Sequence, residues 1–236
     1  MLQYVYRHEL KYLISEREAE LVRQRLGECA DIDSHAAGGS YLIRSLYFDD
    51  IWGNAYTDKQ AGTLSREKYR IRIYNYSDDY IKLERKAKQG SYILKTSARI
   101  NREELQRILS GDYSFLEKRE GVLQSFYLAL VSEGLRPSVI VDYDRTPFVY
   151  GPGTVRVTFD EHVRSGFLSF DLFDSSIPVF ETFETGKLIM EVKYTEYLPD
   201  NIKDLIEPGA AVQLAASKFV LCSDRMRCIR GLERIV

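Results

Sequence analysis

From Ser65 to Tyr74 the chain alternates between polar and apolar side chains at every second residue. Lys68, Arg70 and Arg72 fall on one side, and Tyr69, Ile71 and Ile73 on the other, which is the pattern of a half-buried strand. The same alternation returns several times. Tyr80 to Lys88 sets Lys82, Glu84, Lys86 and Lys88 against Ile81, Leu83 and Ala87, with Arg85 interrupting the apolar side. Gln89-Gly90 is a turn signal, so Ser91 to Ile100 is expected to return as a hairpin partner. Residues 3–14 place Arg7, Glu9 and Lys11 opposite Tyr6, Leu10, Tyr12 and Ile14. Tyr41 to Asp49 is rich in the aromatic and branched residues that suit a pleated surface. Ser138 to Tyr150 carries Val139, Val141, Tyr143 and Arg145 on one side. After the Gly151-Pro152-Gly153 turn, Thr154 to Arg164 sets Arg156, Thr158 and Asp160 against Val155, Val157 and Phe159. Lys187 to Thr195 is the last strand expected, with Glu191 and Lys193 opposite Met190, Val192 and Tyr194.

Helices are predicted between these strands. Ser15 followed by Glu18 is a capping box, opening a helix to about Cys29 with Ala19, Leu21, Val22 and Leu26 as its apolar positions. Asp50 to Gly62 predicts a short helix or turn. Asn101 caps a helix running through Leu105, Ile108 and Leu109 to Gly111. Further helices are expected over Lys118–Glu133, Pro199–Ile206 and Ala216–Leu232, and residues 165–186 read as irregular apart from a short strand near Val179. Hairpins without regular strand–helix alternation predict an α+β fold, with an antiparallel sheet to which helices are added. With no linker or internal repeat, residues 1–236 read as one domain.

Composition narrows the function. The chain has 236 residues and a formal net charge of −2, which argues against a nucleic-acid binder; any basic site must be local and balanced by acid elsewhere. No apolar run approaches the roughly 20 residues that span a bilayer, and Met1 to Arg7 shows no charged leader followed by an apolar stretch. A cytoplasmic protein without a transmembrane segment of its own is therefore expected. Cys29, Cys222 and Cys228 are odd in number and lack metal-site spacing, so free thiols are expected. The isolated His8, His35 and His162 give no support to a histidine zinc site or a catalytic triad.

On any one strand, a charged side turned to water is the simpler reading. Pooled, the polar sides hold Arg7, Lys11, Arg70, Arg72, Lys82, Lys86, Lys88, Arg145, Arg156 and Lys193 against Glu9, Glu84, Asp160 and Glu191. That excess of cations is unexpected where acids outnumber bases, 35 to 33. Helices packed on the apolar sides would turn the charged sides inward around a cationic channel. Such a channel repels itself unless a polyanion fills it. Its carboxylates then have two roles open to them. Glu9 and Glu84 suit pairing with neighbouring cations, whereas Glu191 suits a divalent metal, as phosphate chemistry commonly requires.

The segments that carry these residues are Arg7-His8-Glu9-Leu10-Lys11-Tyr12, Arg44-Ser45-Leu46-Tyr47-Phe48-Asp49, Lys68-Tyr69-Arg70-Ile71-Arg72, Leu83-Glu84-Arg85-Lys86, Tyr143-Asp144-Arg145, Val155-Arg156-Val157-Thr158-Phe159-Asp160, Met190-Glu191-Val192-Lys193 and Ser217-Lys218-Phe219. In this order they resemble the motifs of the VTC domain, the polyphosphate polymerase branch of the CYTH-like, or triphosphate tunnel metalloenzyme, superfamily. The resemblance covers Tyr4 to Phe219. It implies an antiparallel β-barrel, the triphosphate tunnel, with helices packed on the outside. It also implies ATP and polyphosphate as ligands, Mn2+ or Mg2+ as cofactor, and transfer of the terminal phosphoryl of ATP to a growing polyphosphate chain.

Carried over by motif, the catalytic set is Lys11, Arg70, Arg72, Lys86, Arg145 and Lys218. Tyr143, Arg156, Lys193 and Ser217 are expected to bind substrate, and Glu191 the metal. Lys68 shares the face of Arg70 and Arg72, and its role stays open. Arg7 stands where the wider superfamily has the first of two glutamates, which weighs against an adenylyl cyclase or thiamine triphosphatase. Membrane helices and a regulatory SPX domain, found in eukaryotic VTC proteins, are not expected here, so any membrane partner would be a separate chain. A triphosphatase that uses water as acceptor and a non-catalytic polyphosphate-binding module are the alternatives.

Overall fold

The computed structural model describes residues 8–36, 38–90, 92–195, 197–206, 212–213 and 217–231. In chain order the elements are β1 (His8–Ser15), α1 (Glu16–Gly27), β2 (Asp31–Ile32), β3 (Tyr41–Asp49), α2 (Asn54–Ala61), β4 (Ser65–Tyr74), β5 (Ser77–Gln89), β6 (Tyr92–Ile100), α3 (Arg102–Ser110), α4 (Val122–Ser132), β7 (Arg136–Tyr150), β8 (Val155–Gly166), β9 (Val179–Glu181), β10 (Lys187–Tyr194), α5 (Asp200–Ile206), β11 (Val212–Gln213) and α6 (Lys218–Ile229). The chain is a mixture of helices and antiparallel strands that divides into two compact units.

The first unit comprises Met1–Leu42, Tyr143–Val163 and Phe183–Ala216. Its strand order is β11-β1-β10-β8-β7, with β2 beside β7. The apolar side of this ladder presents Ile14, Met190, Val192, Val155, Val157 and Phe159, and it packs against Ala19, Val22 and Leu26 of α1 and Ile202 and Ile206 of α5. The capping box at Ser15 is formed as expected: Ser15 Oγ accepts from the Glu18 amide, and the Ser15 amide donates to Glu18 Oε2 at 2.8 Å. Gly153, at φ +69, turns the chain between β7 and β8. A Cβ there would lie 2.6 Å from the Tyr197 carbonyl oxygen, so the turn requires glycine.

The second unit comprises Ile43–Asp142, Arg164–Thr182 and Ser217–Val236. Here the order is β7-β3-β4-β5-β6, with β9 beside the end of β8. Leu46, Phe48, Tyr69, Ile71, Ile73, Ile81 and Leu83 form the apolar side, buried against Leu105 and Ile108 of α3 and Phe126, Ala129 and Leu130 of α4. Arg85, which interrupts this side, is drawn to Glu67 across the strand pair and donates to it with Nε at 2.8 Å. Arg44 also lies on the interior side. It is fully buried, with Nε 2.8 Å and NH2 2.7 Å from the two carboxylate oxygens of Asp142. It further donates to the Asp174 carbonyl at 2.5 Å and stacks 4.4 Å from the Tyr76 ring.

Several expectations are corrected. The helix expected from Lys118 starts at Val122, because Gly121 at φ +64 departs from the helical path. The expected barrel is not closed by hydrogen bonding among the described residues. In the first unit the ladder ends at β11, which is two residues long, and in the second it ends at β6, where Tyr92, Ile93 and Leu94 are exposed. Residues 3–7 of the first expected strand, Arg7 included, lie outside the described residues, as do Ala216 and Leu232, the expected ends of the last helix. The helix expected between Asp50 and Gly62 is formed as α2 and closed by Gly62 at φ +70.

Candidate functional site

The predicted site residues fall into two groups, one in each unit. In the second unit the register of the strands builds rows of side chains on the polar side of the sheet. Ser45 lies opposite Arg72, and Tyr47 opposite Arg70. Across β4 and β5 the pairs are Arg66 with Lys88, Lys68 with Lys86, Arg70 with Glu84, and Arg72 with Lys82. The rows continue onto β6, where Lys95 faces Lys86, Ser97 faces Glu84, and Arg99 faces Lys82. These rows gather nine cations, Arg66, Lys68, Arg70, Arg72, Lys82, Lys86, Lys88, Lys95 and Arg99, around Glu84, with Asp49 at the end of β3 acting on Lys68.

Glu84 holds this face together. Arg70 Nε lies 2.6 Å from it, Lys82 Nζ 3.6 Å and Arg72 NH1 3.8 Å. Burial alone would push the Glu84 carboxyl up, but Arg70, Arg72 and Lys95 outweigh it and hold it at about 2. A single acid therefore lets two adjacent arginines stay buried or half-buried in fixed positions. Arg72 Nε also donates to Ser45 Oγ at 3.2 Å, and Arg70 NH1 to Tyr47 Oη at 2.8 Å. Both guanidinium groups are thus oriented from the neighbouring strand, a support that the alternation of β4 alone does not reveal.

The same side of the sheet receives the start of α6. Ser217 caps it by accepting from the Val220 amide at 3.3 Å, and Lys218 is its first residue. Phe219 stacks on Tyr47 with 5.0 Å between centroids. Lys68 Nζ sits 4.4 Å over the Phe219 ring and 3.4 Å from Ser217 Oγ, so Lys68 belongs with Ser217 rather than in open solvent. Burial, and then repulsion from Lys59, Lys86 and Arg66, pushes its ammonium down to about 7; Asp49 opposes this only in part.

In the first unit β1, β10 and β8 set two rows side by side, Glu9–Lys193–Arg156 and Lys11–Glu191–Thr158. Glu191 is buried and paired with Lys193, and Lys11 Nζ lies 3.7 Å from it. Lys11 is also paired with Glu9, as expected for that glutamate. Arg145 grips the fully buried Asp160 with Nε at 2.6 Å and NH2 at 2.7 Å, and its guanidinium lies 5.2 Å from the ring centroid of the buried Tyr143. Arg156 reaches Asp33 at 2.6 Å and Tyr41 Oη at 3.4 Å.

The residues fit a divalent ion in one way only. Among the described residues no group of three or more His, Cys, Asp or Glu side chains forms a metal cage. Glu191 is one buried carboxylate with lysines as neighbours, a donor set that suits magnesium or manganese only if phosphate oxygens and water supply the remaining ligands.

Each unit thus sets a charged strand face opposite an apolar one that is packed against helices. The chain belongs to the VTC domain family, whose model matches residues 6–227. No curated protein matches it. Among solved structures it is similar to the PH1819 protein from Pyrococcus horikoshii, at 17% identity and a TM-score of 0.49, over 93% of this chain and 99% of that one. A Bacillus halodurans protein described as a candidate adenylate cyclase matches at 12% identity and a TM-score of 0.47, over 97% of this chain and 91% of the other. Among the described residues no helix is long and apolar enough to cross a membrane.

Proposed function

We propose that this chain is a polyphosphate polymerase, which transfers the terminal phosphoryl of ATP to a growing inorganic polyphosphate chain. The observation that carries the reading is the set of nine cations around Glu84 in a protein whose net charge is −2. A solvated surface has no use for such a concentration of like charge, whereas a chain of phosphates neutralises it along its length. Membership of the VTC domain family supports the same reading.

The roles follow from side-chain chemistry. Arg70 and Arg72 present planar forks to phosphate oxygens, already oriented by Tyr47, Ser45 and Glu84. Lys86, Lys11, Arg145, Arg156, Lys193 and Lys218 supply further positive charge, and Tyr143 and Ser217 hydrogen bonds. Glu191 would hold Mn2+ or Mg2+ together with phosphate oxygens. The ion, when bound, neutralises charge on the phosphates and orients them. Positioning and fixed charge around the phosphoryl in flight require no covalent intermediate on the protein.

Incubating the protein with ATP and manganese, with and without a chelator, and resolving the products by size tests this reading. Metal-dependent growth of long phosphate chains is expected. Free phosphate alone would make the protein a hydrolase, and tight binding of polyphosphate without turnover would make it a binding module.

Lys68 gives a pH-dependent signature. Its folded-state pKa of about 7 lies below its ordinary value of 10.5. The unfolded chain therefore binds more protons between those values, and Lys68 makes the free protein more stable as pH rises from about 7 towards 10.5. A bound polyanion favours the ammonium form, so binding at pH 8 is expected to draw in up to about one proton at Lys68. Calorimetry in buffers of different ionisation enthalpy measures that uptake. Lys68→Met should abolish it, and equal uptake by the variant would remove Lys68 from the site.

A further inference from the structure

Thr158 lies on one of the cationic faces, and no role above requires it. It sits in the middle of β8 with Arg156 and Asp160 on either side along the same face. Glu191 lies directly opposite on β10, and Lys11 opposite Glu191 on β1. Val157 and Phe159 point the other way, into the apolar layer under α1 and α5. Thr158 therefore turns its side chain to the charged face by strand alternation alone. It is 2% exposed, and among the described residues no protein group hydrogen-bonds to its Oγ1.

A buried hydroxyl without a partner is uncommon, because desolvating it is unfavourable unless a hydrogen bond is made in return. Valine has almost the same shape and would fill this position in a strand without that penalty. With no partner among the described residues, the hydroxyl is available to a group that arrives from outside the protein. On the polyphosphate reading that partner is a phosphate oxygen: the strand register brings Lys11, Lys193 and Arg156, together with Glu191, around Thr158, and an oxygen of an anion accepts the proton that Thr158 can donate.

We propose that Thr158 is a direct ligand of the bound phosphate chain, its Oγ1–H donating to a phosphate oxygen held beside Glu191. This rests on the polyphosphate reading and adds a position to it. The lysines on this face act through charge and tolerate some displacement of the ligand. A neutral hydroxyl on a central strand accepts one oxygen at one place, and so fixes the register of the phosphates against the row Lys11–Glu191–Thr158. It does so in the ground state, which makes its loss visible in binding.

Inorganic tripolyphosphate is the probe, and the intact chain the protein. Titration calorimetry is expected to show Thr158→Val binding about 10–100-fold more weakly than wild type, the loss of one hydrogen bond to a charged acceptor. Thr158→Ser keeps the donor and should bind within a few-fold of wild type. Without ligand, the thermal midpoint of Thr158→Val should equal or exceed that of wild type, because removing an unpaired buried hydroxyl relieves a penalty. Two results overturn the assignment while leaving the phosphate reading intact. One is wild-type affinity in Thr158→Val; the other is a midpoint several degrees lower, which means that the hydroxyl was already satisfied in the free protein. A serine variant as weak as the valine variant would also overturn it, by tracing the effect to the methyl group. Failure of the wild-type chain to bind tripolyphosphate would overturn the underlying reading and this assignment with it.

Discussion

Replacing Arg72 with alanine is expected to lower turnover of ATP by on the order of 10²–10³-fold, the effect of removing one fixed donor from a site that stabilises developing charge. The fold should survive. Arg72 is buried, yet its carboxylate neighbour Glu84 keeps Arg70 at 2.6 Å and Lys82 at 3.6 Å, so the substitution leaves no acid without a counter-charge. Ser45 loses one donor. Steady-state kinetics with a circular dichroism melt measures both quantities together. Undiminished turnover would take β4 out of the reaction. A collapse of the melting midpoint would show that Arg72 serves the fold. Arg72→Lys should recover only part of the loss, since an ammonium restores the charge but not the fork.

The largest effect on stability is expected at Asp142. Asp142→Asn leaves the fully buried Arg44 guanidinium without its counter-charge, and breaking a buried ion pair from one side typically costs about 3–5 kcal/mol. For a chain of this size that corresponds to a fall in melting midpoint on the order of 10 °C. The loss should extend beyond β3 and β7, because Arg44 also holds the segment around Leu172 and Asp174 through their carbonyl oxygens. The paired change Arg44→Met with Asp142→Leu should recover the part of the loss that comes from the uncompensated charge, but not the bonds to the Leu172 and Asp174 carbonyls. Denaturant unfolding of wild type, single and double variants checks this, and a single variant as stable as wild type would contradict it.

The alternation along each strand was legible because one side meets an apolar layer and the other does not. Lys68, Arg70 and Arg72 could be assigned to one face from a single strand, and so could Arg156, Thr158 and Asp160. What could not be read was which strands meet and in what register. The support of Arg72 by Ser45 and of Arg70 by Tyr47, and the spread of the cationic face to Lys95 and Arg99, follow only from the pairing of β3 and β6 with their neighbours. Arg44 was hidden for the opposite reason. It sits on the side with Leu46 and Phe48, where a charge is not expected, and its partner lies 98 positions away. Alternation places Thr158 on the polar face but says nothing of its role, because a threonine is ordinary in a strand unless its hydroxyl is buried without a partner, and burial is not read from one strand. Glu191 was read as a metal ligand, and its pairing with Lys193 and proximity to Lys11 depend on alternation and on β1 lying beside β10.

The pairing of β1 with β10 joins His8 to Tyr194, nearly the length of the chain apart. During synthesis β1 leaves the ribosome long before its partner exists. At ordinary rates of elongation the interval is roughly 10–40 s. Throughout it the hydrogen-bonding edge of β1 that β10 will occupy has no native strand to pair with, a condition that favours association with other nascent chains. The pairing of β1 can be completed only after Lys187–Tyr194 is made, and non-local pairing of this kind is intrinsically slow.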